Sequence, residues 1–327
     1  MESYKNKVAV ITGGGQGIGR ALAVELGRRG ASVVVTDIND EWGHETLEIL
    51  EKEGADGSFI HHDVTKEDSW DAMVAAATAK HPTIDYLFNN AGVMLRARPT
   101  FKTTLRDWQW LVDVNFWGVL YGLRTFTSLM MSQKDGGLIS TTCSTASVAP
   151  FSCWAPYTVT KAASLRLCET YQAEAAYFAN PKVRYAAVLP GTVVSEISNC
   201  ECHRPEEYRN EGEPLPEREP VSQPGTPEGQ ALGKISAELA VERILTQLDY
   251  GHFYIYTHRD LTTGLIVEQL ESTLLNKPIT DQLVYDFAYY TKKMTRTMTP
   301  EQRQAFEAAL AAKTDQSPTR PKTTESR

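Results

Sequence analysis

The segment Thr12-Gly-Gly-Gly-Gln-Gly-Ile-Gly19 constrains the fold more than any other stretch of this chain. It follows an apolar run, Val8–Thr12, with the profile of a strand buried on both faces. It precedes Gly17–Arg29, where Ile18, Leu22 and Leu26 recur at helical spacing. Glycines at such a junction serve a defined geometry: Gly13 takes a tight turn, Gly17 lets backbone approach a pyrophosphate, and Gly19 lets helix and strand pack closely. Free N–H groups and the helix dipole then hold the phosphates, with Gln16 and Ile18 alongside. Asp37 closes the next β-branched run, Ser32–Thr36, eighteen residues after Gly19. A carboxylate near that separation meets ribose hydroxyls and repels a 2′-phosphate, so the expected cofactor is NAD rather than NADP. No Arg or Lys interrupts the glycine loop.

The pattern that starts here continues. Strands are expected near 58–61, 84–88, 137–142, 183–189 and 252–256, separated by helices near 40–53, 66–79, 104–132, 154–178 and 237–248. Strands alternating with helices over short connections imply βαβ units. The expected fold is α/β, a doubly wound parallel seven-stranded sheet (a Rossmann fold) with helices on both faces, as one catalytic domain over residues 1–257. Residues 197–233, rich in Pro, Glu and Gly, are too polar for core and long for a connector, which suggests a lid. Residues 258–312 return to helical patterning, and 313–327 read as a disordered tail.

Tyr157 and Lys161 stand four apart at the start of a predicted helix, on one face. An ammonium beside a phenol stabilises the phenolate, which a tyrosine needs in order to accept an alcohol proton near neutral pH. Ser144, thirteen residues before Tyr157, follows the fifth strand, where its hydroxyl meets a substrate oxygen. Cys143 adjoins it, and the spacing to Tyr157 favours the serine. Asp63 and Val64, after the third strand, are candidate adenine contacts.

With these motifs in order, the chain resembles the short-chain dehydrogenase/reductase family in its shorter-subunit branch. The matching elements are the Thr12–Gly19 loop, Asn89-Asn-Ala-Gly92, Asn115, Ser144, Tyr157, Lys161 and Pro190-Gly191, and the resemblance covers residues 5 to 257. It implies Tyr157 as general acid/base, with Lys161 holding the nicotinamide ribose and lowering the tyrosine pKa. Ser144 would orient the substrate carbonyl or alkoxide. Asn115 would keep a bend and a water in the long helix, a relay from Lys161 to solvent. Asn90, Ala91 and Gly92 would lie beside the cofactor and steady the sheet, while Pro190, Gly191, Val193 and Ser195 would border the nicotinamide. It also implies dimers or tetramers built on the 104–132 and Tyr157 helices, with Trp108, Trp110, Phe116 and Trp117 at the interface.

Composition narrows the remaining classes. A net charge of −8 advertises no surface for nucleic acid or anionic lipid. No run approaches a membrane span, and five scattered cysteines fit reduced thiols, so a cytoplasmic protein is expected. Cys200-Glu-Cys202-His203 lacks the usual metal-ligand spacing, and no metal is expected. His61-His62 reads as a surface pair. The expected reaction interconverts a secondary alcohol and a ketone. Leu95, Val148, Phe151 and Trp154 suggest an apolar substrate, whereas Arg96 and Arg98 would suit a carboxylate. The alternatives are a non-catalytic NAD-binding scaffold and a sugar-nucleotide epimerase or dehydratase. Loss of a catalytic residue would mark the first and a larger C-terminal substrate domain the second.

Overall fold

Seven short strands, several of them rich in β-branched residues, pair side by side, all parallel, in the order β3-β2-β1-β4-β5-β6-β7. They are β1 (Val8–Thr12), β2 (Ser32–Asp37), β3 (Gly57–His61), β4 (Tyr86–Asn89), β5 (Gly137–Thr142), β6 (Val183–Leu189) and β7 (Tyr254–Tyr256). The computed structural model describes residues 4–178 and 182–275. The intervening helices are α1 (Gly17–Arg28), α2 (Asp40–Lys52), α3 (Glu67–Lys80), α4 (Leu105–Val112), α5 (Gly118–Ser132), α6 (Ala155–Tyr177), α7 (Pro227–Ala231), α8 (Ala237–Asp249) and α9 (Arg259–Leu274). This is the expected doubly wound, Rossmann-like sheet.

Because successive strand residues face opposite sides, the sheet feeds two cores. Ala9, Ile11, Val33 and Val35 pack with Leu22 and Leu26 of α1 and Ile244 and Leu245 of α8. Val8, Val10 and Val34 face the other way, against Trp70 and Met73 of α3 and Phe126 and Met130 of α5. Each such side chain, fully buried, contributes about 1.5–3 kcal/mol relative to exposure. A parallel sheet needs that cover on both faces. Strand order reverses between β1 and β4, so the loops leaving their carboxyl ends diverge and open a crevice.

Three expectations change. The single long helix over 104–132 is α4 and α5 joined by a π-helical turn, Asp113–Trp117. Asn115 in that turn clamps the neighbouring peptide: its Oδ1 accepts from Val93 N and its Nδ2 donates to Val93 O, each at 2.9 Å. Trp110 is not an interface residue but core, packed with Leu95, Leu111 and Tyr208 and lying under the Arg204 guanidinium at 5.0 Å. His62 is not on the surface; it is buried edge-on to Trp70, with Nδ1 2.8 Å from Ser69 Oγ, and burial pushes its pKa down to about 4.

The start of the lid is also better buried than its composition suggests. Asn199, Glu201, Arg204 and Tyr208 are all buried. Arg204 donates to Asp107 at 2.6 Å, Arg98 donates to Glu201 at 2.5 Å, and Tyr208 donates to Asp113 at 3.0 Å. Burial alone would raise the Asp107 carboxyl, but backbone N–H donation from Thr104 and the pairing with Arg204 hold it below the usual range. From Glu211 to Thr226 the lid is largely exposed, as its composition suggests. After β7, helix α9 tucks Leu261 and Leu265 against Val148, Ala149 and Phe151. The expected helical stretch beyond residue 275, including Tyr285–Tyr290, and the expected tail lie outside the described residues.

Trp70 links core to crevice, since its Nε1 donates to Val64 O at 3.0 Å from a fully buried ring. Trp70→Ala should cost about 3–5 kcal/mol in urea unfolding, through a cavity that α3 and α5 cannot fill. Trp70→Phe, which keeps most of the volume and loses the hydrogen bond, should cost appreciably less. Equal losses would show that packing is not what the ring supplies.

Candidate active site

The crevice begins at the glycine loop. Gly13 adopts φ +61°, and a Cβ there would fall 2.9 Å from Ala91 Cα, so both conformation and space require glycine. At Gly19 a Cβ would lie 2.0 Å from the Gly13 carbonyl, the close helix–strand approach expected of it. Gly17 faces Ser195 rather than the main cavity, with a Cβ there 2.7 Å from the serine Cβ. Asp37 turns its carboxylate into the same loop: Oδ2 accepts from Gly15 N and Oδ1 from Asn39 N, each at 2.9 Å. Burial raises its pKa, against the pull of those N–H donors. Each oxygen keeps a lone pair for a further donor. Arg20, engaged with Gly15 O and Glu45, adds a weaker Coulombic pull that lowers the same carboxyl.

Asn89–Gly92 fastens the crevice walls together. Thr12 Oγ1 accepts from Asn90 N (2.9 Å) and Ala91 N (3.0 Å), while Asn90 Nδ2 donates to Thr12 O and Gly13 O. Asn90 Oδ1 accepts from Thr142 Oγ1 at 3.1 Å, which reaches β5. Asn89 Nδ2 donates to Val119 O at 3.0 Å. On the far side, Asp63 Oδ1 accepts from Thr65 N and Oγ1, an Asx turn that presents Val64 to the cavity.

At the closed end lie Ser144, Tyr157 and Lys161. Pro156 sits in the first turn of α6, where its missing N–H costs nothing. One turn of that helix then puts Lys161 on the same face as Tyr157, with Nζ 5.9 Å from the ring centroid. Lys161 is buried and donates to Thr142 O at 2.8 Å. A Cβ on Gly92 would stand 3.1 Å from this Nζ and 3.3 Å from Asn115 Oδ1, so the glycine leaves room around the ammonium. Ser144 Oγ accepts from Ala146 N at 3.1 Å and lies beside the Tyr157 phenol in the cavity wall. Cys143 is buried against Cys168 instead, which resolves the choice between the two neighbours in favour of the serine.

The electrostatics differ from the expectation that Lys161 dominates. Burial pushes the Tyr157 phenol up to about 12, and the neighbouring Ser144 hydroxyl pulls it the other way. Burial also lowers Lys161. Asn115 reaches this cluster through Thr160, to whose Oγ1 its Nδ2 donates at 3.2 Å, and its backbone carbonyl accepts from Ser164 Oγ at 2.7 Å.

One cavity joins these parts. It is lined by Gly13, Gln16, Ile18, Asp37, Asp63, Val64, Asn90, Ala91, Gly92, Ser144, Tyr157, Lys161, Pro190, Gly191, Val193 and Ser195, all anticipated from sequence. Gly17, Gly19 and Asn115 stand behind its walls. The lid adds residues that sequence reading missed, among them Ile197, Cys200, His203 and Tyr208; α2 adds Trp42. Their signal was absent because a lid shows no periodicity and Trp42 follows a cap, Asn39, like any first-turn residue. Phe151 and Trp154 do not line the cavity, nor do Arg96 and Arg98. Both arginines hold the lid: Arg96 through Glu201, Glu217 and Glu219, and Arg98 through Glu201 and Asp107. Cys200, Cys202 and His203 diverge, toward the Tyr157 cluster, Arg96 and Trp42 respectively. Among the described residues no three His, Cys, Asp or Glu side chains converge as a metal site, and no helix is long and apolar enough to cross a membrane.

The glycine cradle, with the Asp37 carboxylate turned into it and both lining one cavity, fits a dinucleotide. Residues 7–204 match the family model for short chain dehydrogenases. A short-chain dehydrogenase/reductase from Burkholderia phymatum, solved in complex with NAD, superposes with a TM-score of 0.77 at 28% identity, covering 86% of this chain and 99% of that one. The CLA biosynthesis dehydrogenase/reductase of Lactiplantibacillus plantarum is 28% identical over 79% of this chain and 90% of its own length. The 3beta-hydroxysteroid dehydrogenase 1 of Eggerthella lenta is 31% identical over 60% of this chain and 74% of its own. The chain belongs to the short-chain dehydrogenase/reductase family, NAD(P)-binding oxidoreductases.

Proposed function

We propose that this protein is an NAD-dependent dehydrogenase that interconverts a secondary alcohol and its ketone, with Tyr157 as the acid–base group. The observation that carries the reading is the convergence of Ser144, Tyr157 and Lys161 on one cavity that Asp37 also lines. Gly13, Gln16 and Ile18 would hold the pyrophosphate, Asp37 the adenine ribose, and Val193 and Ser195 the nicotinamide side. When bound, NAD supplies the hydride acceptor for oxidation and, once reduced, the donor for reduction.

The chain's own residues then divide the proton chemistry. An alcohol oxygen seated between Ser144 Oγ and Tyr157 Oη gives its proton to the phenolate, and Ser144 holds the oxygen as the carbonyl forms. In reduction the phenol returns that proton. Lys161 keeps a positive charge beside the ring, fixed by Thr142 O. The substrate end has Val93, Trp110, Ile197 and Cys200 in its lining, and the nearby arginines are committed to lid carboxylates. An apolar, cyclic secondary alcohol suits that lining, and relatives named as 3beta-hydroxysteroid and cyclopentanol dehydrogenases support the class. Self-association is part of the proposal, because Trp117 at the end of the π-turn leading into α5 and Val159 on α6 stay exposed at the two helices expected to join subunits.

Tyr157→Phe should lower kcat by roughly a thousandfold while NADH affinity, followed by fluorescence titration, stays near that of the wild type. A fully active variant would remove Tyr157 from the chemistry. Asp37→Ala deletes a charge-assisted contact, so NAD affinity should fall about 10- to 100-fold and the preference over NADP should shrink. An unchanged NAD/NADP ratio would refute the ribose assignment.

The pH dependence follows from the raised phenol. Below a pKa near 12 the phenol is protonated, so it is ready as an acid, and the fraction able to act as a base grows with pH. Alcohol oxidation should therefore climb in kcat/KM by about tenfold per pH unit above neutrality, while ketone reduction stays level. Initial rates in both directions across pH check this, and a level oxidation profile would contradict it.

A further inference from the structure

The lid meets the cavity at both ends. At the catalytic end Cys200 packs on the cluster that also seats Tyr157. At the adenosine end His203, three residues on, touches Trp42 of α2 edge-to-face, with ring centroids 5.0 Å apart. Both rings line the cavity. Trp42 stands beside the ribose-facing carboxylate, because a Cβ on Gly15 would lie 2.8 Å from both Trp42 Cβ and Asp37 Oδ2. The His203–Trp42 contact therefore joins opposite banks of the crevice above Asp37. Glu196 N donates to Gln16 Oε1 at 2.8 Å and so ties the base of the same segment to the glycine loop.

We propose that His203 is a cofactor-retaining residue: packed on Trp42, it closes the adenosine end of the crevice, so that the dinucleotide leaves only when the 196–208 segment lifts. This rests on the dinucleotide reading above and adds a lid residue to it. The closed position is set from outside the cavity. Arg204 on Asp107 and Glu201 on Arg98 form a buried latch, and none of these four lines the cavity. His203 lies between the two latch contacts and its partner ring, one residue before Arg204. When the latch holds, His203 has one seat. When it opens, His203 and Cys200 withdraw together, and the cofactor and substrate ends open at once.

The test is the NADH off-rate of the full chain, followed by fluorescence in a stopped-flow chase with excess NAD. His203→Ala, a change at an exposed position, should speed NADH release about fivefold, in keeping with the loss of one aromatic contact. His203→Phe keeps a ring edge against Trp42 and should restore slow release. Glu201→Gln weakens the latch without touching the cavity and should speed release as well, with KM for the alcohol rising alongside. If His203→Ala releases NADH at the wild-type rate, the retaining role is overturned while the dinucleotide reading stands. If the wild-type protein does not bind NADH, the dinucleotide reading falls and this inference with it.

Discussion

Three strand ends are held at one level by a knot of short polar side chains, and the site depends on it. Thr12 at the end of β1, Asn90 just beyond β4 and Thr142 at the end of β5 are joined by hydrogen bonds of 2.9–3.1 Å. Each bond is worth only about 0.5–1.5 kcal/mol net, yet an orphaned buried hydroxyl at Thr12 would cost more than the bond contributes. Their combined effect is positional. The glycine loop, the Asn89–Gly92 loop and the Ser144 loop all leave from this knot, so their spacing is fixed before any ligand arrives. Parallel pairing supplies the common direction, and the reversal of strand order at β1 and β4 supplies the gap between the loops.

That rigidity offsets an expensive arrangement. Lys161 is almost wholly buried, and moving an ammonium out of water costs several kcal/mol. One carbonyl, Thr142 O, and the face of the Tyr157 ring are its compensation among the contacts described. Desolvation raises the phenol and lowers the ammonium, so burial disfavours the charged form of each. A site with both groups poised this way is tolerated because the two sheet-face cores lie elsewhere and carry the stability.

Sequence was informative where the determinants are local. The unbroken apolar run Val8–Thr12, buried throughout, glycines at a strand–helix junction and the four-residue step from Tyr157 to Lys161 each depend on neighbours within a turn or two. The choice of Ser144 over Cys143 rested on spacing alone, and Cys143 indeed turns to Cys168. What escaped notice depends on partners far along the chain. The π-turn at Asp113–Trp117 is accompanied by an Asn115 clamp on Val93, twenty-two residues away. Trp110 looks surface-like on α4 until Leu95 and Tyr208 cover it. Arg96 and Arg98 read as a possible carboxylate clamp, and they are one, but for carboxylates of the lid.

The lid shows why average composition misleads. Pro, Glu and Gly correctly mark 211–226 as exposed, but the same averaging hides Glu201 and Arg204, whose partners lie in sequence about a hundred residues earlier. Polar residues are buried there because they are paired. An apolar lid over an apolar substrate end would gain by staying collapsed, whatever the cavity held. A buried ion pair behaves differently, since its Coulombic gain is largely cancelled by desolvation, and the net cost of returning both charges to water is small. Breaking only one partner, by contrast, strands the other. The Arg204–Asp107 and Arg98–Glu201 pairs thus give the segment a unique seat without a large energy holding it there. The opening proposed for the 196–208 segment calls for that combination of specificity and modest strength.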